Sequence, residues 1–206
     1  MRGVLITFEG VEGSGKTTQM IRLGHRLTRL GYRVERTAEP NGTSLGVAVR
    51  RLFEQAVTPP QPLSEVFLFM AARRQHVAEK IGLWLRQGRI ILCDRYTDAT
   101  VAYQGYGRGI DRDLIRDLNV RATGGVLPDL TLLFDIAPVE GLRRIRGRRL
   151  DRFEREALVF HRRVRRGYLE IQRAEPKRVR LIRAARPRDQ VATDVARAVE
   201  DYLSAL

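Results

Sequence analysis

Cysteine and lysine are both scarce in this 206-residue chain. Cys93 stands alone, which excludes an intramolecular disulfide and any cysteine-based metal cluster. No apolar run approaches the roughly 20 residues of a membrane-spanning helix. The apolar start Val4–Phe8 is interrupted by Thr7 and ends at Glu9, too short for the core of a secretory leader. A reducing, cytoplasmic and membrane-free setting is therefore expected. Internal repeats and low-complexity tracts are missing too.

A hydrophobic fraction of 43% beside 30% charged residues suits a globular core, and the length suits one domain spanning 1–206. The formal net charge is +14, almost all of the excess arginine, since Lys16, Lys80 and Lys177 are the only lysines. The basic residues spread over Arg22–Arg51, Arg143–Arg173 and Arg178–Arg197, interleaved with acids. That pattern reads as a solvated, arginine-rich surface with anion sites, and no nucleic-acid partner is expected. A nucleic-acid-dependent ATPase is the rival reading, and it predicts polynucleotide binding that falls steeply with salt.

Short β-branched or apolar runs alternate with stretches of helical period, as in a parallel α/β sheet. The expected strands are Gly3–Phe8, Arg33–Thr37, Arg89–Cys93, Leu130–Ile136 and Arg178–Ile182. The expected helices are Lys16–Leu30, Ser44–Glu54, Leu63–Arg86, Asp111–Ala122, Val139–Arg146, Glu154–Arg173 and Asp189–Leu203. Gly31 and Gly88 stand where helix C-cap glycines belong. The arginine-dense stretch Gly141–Arg152 reads as a mobile basic loop or a short frayed helix.

Gly10-Val11-Glu12-Gly13-Ser14-Gly15-Lys16-Thr17 fits the pattern of a phosphate-binding loop, between a strand and a helix as that motif requires. Its glycines let backbone N–H groups point at phosphate oxygens, and the following helix adds its positive dipole end. The candidate ATP-binding set is Gly10, Val11, Glu12, Gly13, Ser14, Gly15, Lys16, Thr17 and Thr18. Lys16 is expected to reach the β- and γ-phosphates, and the Thr17 hydroxyl to ligate magnesium. Asp94 and Arg95 emerge at the end of another strand, the edge where ligands of open α/β sheets bind. They suit a magnesium partner and a phosphate clamp.

The opening Phe8-Glu9-Gly10 to Thr17-Thr18-Gln19 resembles that of thymidylate kinases. So do Asp94-Arg95-Tyr96 with Ala102-Tyr103-Gln104-Gly105, Pro128-Asp129-Leu130, and Leu150-Asp151-Arg152-Phe153-Glu154. The resemblance implies a parallel five-stranded sheet flanked by helices, a three-layer α/β/α phosphate-loop fold of the nucleoside monophosphate kinase kind. It implies transfer of a phosphoryl group from Mg²⁺-bound ATP to dTMP by a homodimer. Phe69 and Arg73, four apart on one helix face, match an aromatic that stacks on thymine and an arginine that holds the monophosphate. Thr100 and Gln104 match positions near the base, and Tyr103 one that crowds the sugar. Glu9 matches an acid near magnesium and the acceptor phosphate, so the implied metal set is Thr17, Glu9 and Asp94. The implied dTMP set is Glu9, Phe69, Arg73, Arg95, Thr100, Tyr103 and Gln104.

The phosphate loop holds no arginine, whereas Arg143, Arg144, Arg146, Arg148, Arg149 and Arg152 follow in a lid-like stretch at about 141–153. The chain therefore resembles the lid-arginine, bacterial style. Arg148, Arg149 and Arg152 are the candidates to meet the transferring phosphoryl group, completing a catalytic set with Lys16, Glu9, Asp94 and Arg95. One departure stands out. Ala38-Glu39-Pro40-Asn41-Gly42-Thr43 replaces the family's Arg-Glu-Pro-Gly-Gly-Thr, which removes an arginine and places Asn41 where a positive φ is expected. The nearest alternative is a kinase of another nucleoside monophosphate.

Overall fold

The structure, a computed structural model, describes residues 2–147 and 151–206. Five strands form one sheet: β1 (Val4–Glu9), β2 (Val34–Ala38), β3 (Ile90–Asp94), β4 (Leu130–Asp135) and β5 (Val179–Arg183). Their order is β2-β3-β1-β4-β5, and every pairing is parallel. All five expected strands are present, displaced by about one residue. β1 and β3 are buried along their whole length, as parallel strands covered on both faces must be.

The alternation of side chains along β1 builds three layers. Ile6 and Phe8 pack in one cluster with Met20, Leu23 and Leu27 of helix α1 (Lys16–Arg29), residues spaced three and four apart. Leu5 joins Ile91 and Cys93 in another, against Val77, Ile81 and Leu85. Helix α1 ends as expected: Gly31 has φ 88° and the Tyr32 N–H reaches back to the Leu27 carbonyl.

Helix α2 is Ser44–Gln55, and α3 is Pro62–His76. A π-turn, Val77–Ile81, joins α3 to α4 (Gly82–Arg86), so the long expected helix is continuous apart from this bulge. Helix α6 is Arg112–Thr123, α7 is Pro138–Arg144 and α9 is Arg188–Ser204.

Two differences from the sequence expectation have local causes. Helix α5 (Thr97–Thr100), with the π-turn Val101–Gly107 after it, had no counterpart in the reading. Thr, Val and Gly are weak helix formers, and eight of these eleven residues are polar, aromatic or glycine yet mostly buried, so no amphipathic period marks them. Helix α8 (Leu158–Ala174) starts four residues later than the expected Glu154. The Asp151 N–H donates to Glu154 Oε2 and the Glu154 N–H to Asp151 Oδ1, a reciprocal box that closes a separate turn ahead of the helix.

Candidate active site

The end of β1 runs straight into the phosphate loop. Gly10, Gly13 and Gly15 all take positive φ, 141°, 68° and 88°. Space is as restrictive as conformation there: a Cβ on Gly13 would lie 1.9 Å from the Gly141 carbonyl oxygen. The loop thus rests directly on α7, the helix that leads toward the lid. Lys16 is buried, and its Nζ donates to the Gly10 and Val11 carbonyls, each at 3.1 Å. Burial and the nearby Arg95 lower its pKa, while Glu12, Asp94 and Glu9 oppose that shift. The Thr17 hydroxyl donates to Asp94 Oδ2 at the end of β3. Lys16, Thr17 and Asp94 are therefore brought together as expected, with exposed Thr18 beside them.

Beside the loop lies a cleft lined by Phe69, Arg73, Arg95, Thr100, Tyr103 and Gln104, every predicted acceptor-site residue except Glu9. One wall is aromatic: Phe69 lies 5.0 Å from Phe53 and 6.1 Å from Phe153, and Tyr103 meets Phe153 edge-on at 6.0 Å. Such flat apolar walls suit a planar base. At the other end, Arg95 adopts φ 67°, a conformation costing an arginine about 1–2 kcal/mol. Its N–H is held by the Phe8 carbonyl, and its guanidinium spans Glu12 and the face of Tyr103. Strain of this kind persists where the surroundings impose it, and it collects at functional sites.

Several expectations need correction. Glu12 belongs to the phosphate loop by sequence, and its carboxylate faces the acceptor cleft, bound by Arg95 and the Tyr103 hydroxyl. Burial raises its pKa, but Arg95, Lys16 and Tyr103 together bring it below the usual glutamate value. Arg73, only 2% exposed, already uses its guanidinium on Glu39, Thr100, Asn119 and the Tyr96 carbonyl. It lines the cleft beside Arg95, whose guanidinium faces Glu12 and the Tyr103 ring. Glu9 does not reach the cleft. It is wholly buried, accepting from the Tyr96 N–H at 2.7 Å and the Tyr168 hydroxyl at 2.8 Å. Burial, then the neighbouring Asp98, pushes its pKa up to about 7.

Arg152 lies in the acceptor cleft rather than over the phosphate loop. It pairs with Glu65 at 3.0 Å and covers the rings of Phe53 and Phe153. Arg148 and Arg149 fall outside the described residues. Asn41 is not left-handed, since Arg95 is the only described non-glycine residue with positive φ. The tight position is Gly42, whose Cβ would meet the His76 ring at 2.4 Å. Sequence reasoning also missed Glu39, Phe53 and Phe153 as cleft residues. Only the buried i, i+4 spacing of Val49 and Phe53 on α2 hinted at one of them.

A family model described as thymidylate kinase matches residues 8–195. A thymidylate kinase of Nitratidesulfovibrio vulgaris is 47% identical over 211 residues, covering 98% of both chains. One of Deinococcus radiodurans is 44% identical over 201 residues, covering 97% of this chain and 98% of the other. The crystal structure of thymidylate kinase from Ehrlichia chaffeensis superposes with a TM-score of 0.79 at 36% identity, covering 97% of this chain and 99% of that one.

Proposed function

The chain belongs to the thymidylate kinase family, and from that membership we infer the chemistry of the cleft: it moves the terminal phosphoryl group of ATP onto dTMP, giving dTDP. The observation that carries this reading is the adjacency of two anion sites, the glycine-rich loop with Lys16 and the aromatic cleft ending at Arg95.

Both cations rest on the protein's own oxygens, Lys16 on two loop carbonyls and Arg95 on Glu12. Binding exchanges these partners for phosphate oxygens. Lys16 turns to the donor's terminal phosphates and Arg95 to the acceptor's, so two anions that repel each other are held close. The aromatic wall of Phe69, Phe53 and Phe153 takes the base. The acceptor is already an anion, so positioning and charge stabilisation dominate over proton removal. Glu9 acts one step back, clamping the backbone N–H of Tyr96 next to Arg95.

Magnesium fits the mouth of the loop. Thr17 and Asp94 present hard oxygen donors in direct contact, and a two-ligand protein site is what this ion takes when phosphates complete its shell. When bound there it would neutralise charge on the donor phosphates. Residues 141–153 form the lid of a single domain, and its arginines supply positive charge to the transferring group. Arg143 and Arg146 are exposed there, whereas Arg144 is tied to Glu140 and the Ala184 carbonyl.

The active unit is a homodimer working in the cytoplasm. Leu63 and Phe67, one turn apart on α3, are 41% and 51% exposed and form an apolar strip suited to a second copy. No described helix is long and apolar enough to cross a membrane. Nucleic acid is not part of the function: surface arginines are interleaved with acids and paired to them, as in Arg22–Asp189, Arg26–Glu200 and Arg186–Asp194.

The deciding experiment measures ADP release with ATP and dTMP, dUMP, dCMP, dGMP, AMP or thymidine. Turnover greatest with dTMP is expected. Preference for another monophosphate would reassign the acceptor, and turnover dependent on DNA or RNA would revive the rival ATPase.

A further inference from the structure

Gln104 lines the acceptor cleft, and it is 2% exposed. Its Nε2 donates to Glu65 Oε1 at 2.6 Å, so its Oε1 is the end of the amide turned away from that carboxylate. Glu65 projects from α3, wholly buried, with Arg152 at 3.0 Å and Arg108 at 3.8 Å from its carboxylate. A carboxylate between two guanidinium groups accepts hydrogen bonds and has none to give. It therefore dictates which end of the Gln104 amide faces it. The NH₂ must turn to Glu65, and the carbonyl oxygen is left for a ligand.

The neighbouring Thr100 is polarised in the opposite sense. Arg73 donates to its hydroxyl oxygen at 3.0 Å, which leaves the Thr100 hydrogen free to be given away. The cleft wall thus offers one fixed acceptor, Gln104 Oε1, and one fixed donor, the Thr100 hydroxyl. An imide edge, a ring N–H beside a carbonyl, matches that pair. Cytosine carries a bare ring nitrogen at the same place, and two acceptors would then face each other unpaired in a desolvated site.

We propose that Glu65 is a positioning residue for specificity: by fixing the Gln104 amide it makes the cleft select bases with an imide N–H, thymine or uracil, over cytosine. This rests on the reading of the cleft as the dTMP site. Glu65 touches no substrate and acts through Gln104.

The test is the ratio of kcat/KM for dTMP to that for dCMP. In Glu65→Gln the residue at 65 can donate as well as accept, so Gln104 is free to present either end. The ratio is expected to fall roughly 10- to 100-fold, the discrimination that one unpaired buried polar group supplies. Glu65→Asp keeps an acceptor-only partner and should keep the ratio, even with lower turnover. Gln104→Met should lose the ratio by itself, and in that background Glu65→Gln should change it no further. A folded Glu65→Gln protein with the wild-type ratio overturns the proposal. If that variant fails to fold, Gln104→Met decides: a retained ratio refutes the role and a lost one supports it. Wild-type protein that fails to turn over dTMP would instead refute the assignment of the cleft, a separate and prior result.

Discussion

Arg95 and Lys16 sit in strained or buried places that a surface cation would avoid, and each is held ready by oxygens it can exchange. Preorganisation of this kind lowers the reorganisation needed when substrate arrives. Glu9 shows the same environment acting on an acid. Its pKa of about 7 lies above its ordinary value of 4.5, because burial and Asp98 outweigh the Tyr168 hydroxyl, Arg95 and the Tyr96 N–H. Between those two values the folded chain keeps a proton that the unfolded chain has released. Stability should therefore fall as pH rises through that window, by up to about 3 kcal/mol, and level off above it. Glu9→Gln is neutral throughout and mimics the protonated acid, so its urea midpoint should lose this dependence between about pH 5 and about pH 8. An equal slope in both proteins would show that Glu9 does not titrate there. Such a role was hidden from sequence reasoning, which recognises an acid before a phosphate loop but has no means of seeing Tyr168, 159 positions away, bonded to it.

The arginines of the proposed lid are expected to divide the labour. Arg152 lies within the Asp151–Glu154 turn and reaches across the acceptor cleft to Glu65 and the rings of Phe53 and Phe153. Replacing Arg152 by alanine should raise KM for dTMP about tenfold and leave kcat within a few-fold, the signature of lost uniform binding. Replacing Arg148 and Arg149 together should instead lower kcat by several orders of magnitude with ATP affinity little changed, as for arginine fingers. Steady-state kinetics with each substrate varied separates the two patterns. A kcat collapse in Arg152→Ala would return that residue to the transferring phosphate. Amphipathic helices such as α1 and α9 were legible because one face is buried and the period shows. The buried segment Thr97–Gly107 was not, since a helix covered on all sides has no polar face to set the period against.

At the scale of the whole molecule, the apolar strip of Leu63 and Phe67 lies on α3, the helix that also supplies Phe69, Arg73 and Glu65 to the cleft. An interface there would brace the acceptor site from behind. Phe67→Arg places a charge in such an interface and should convert the proposed dimer to monomer by light scattering, with a loss of dTMP affinity. A wild-type protein that is already monomeric would remove this surface from the account. The cleft residues were implied by the family resemblance, whereas the fold class, the five strands and the cradle of Lys16 and Thr17 were legible in the sequence alone. Those features rest on local spacing, hydrophobic period and backbone freedom at glycine, which are properties of neighbouring residues. Which acid faces which substrate was decided only by the tertiary structure. Glu9, Glu12, Glu39 and Glu65 are chemically alike, and their different tasks come from burial and from partners that the topology brings in from distant strands and helices.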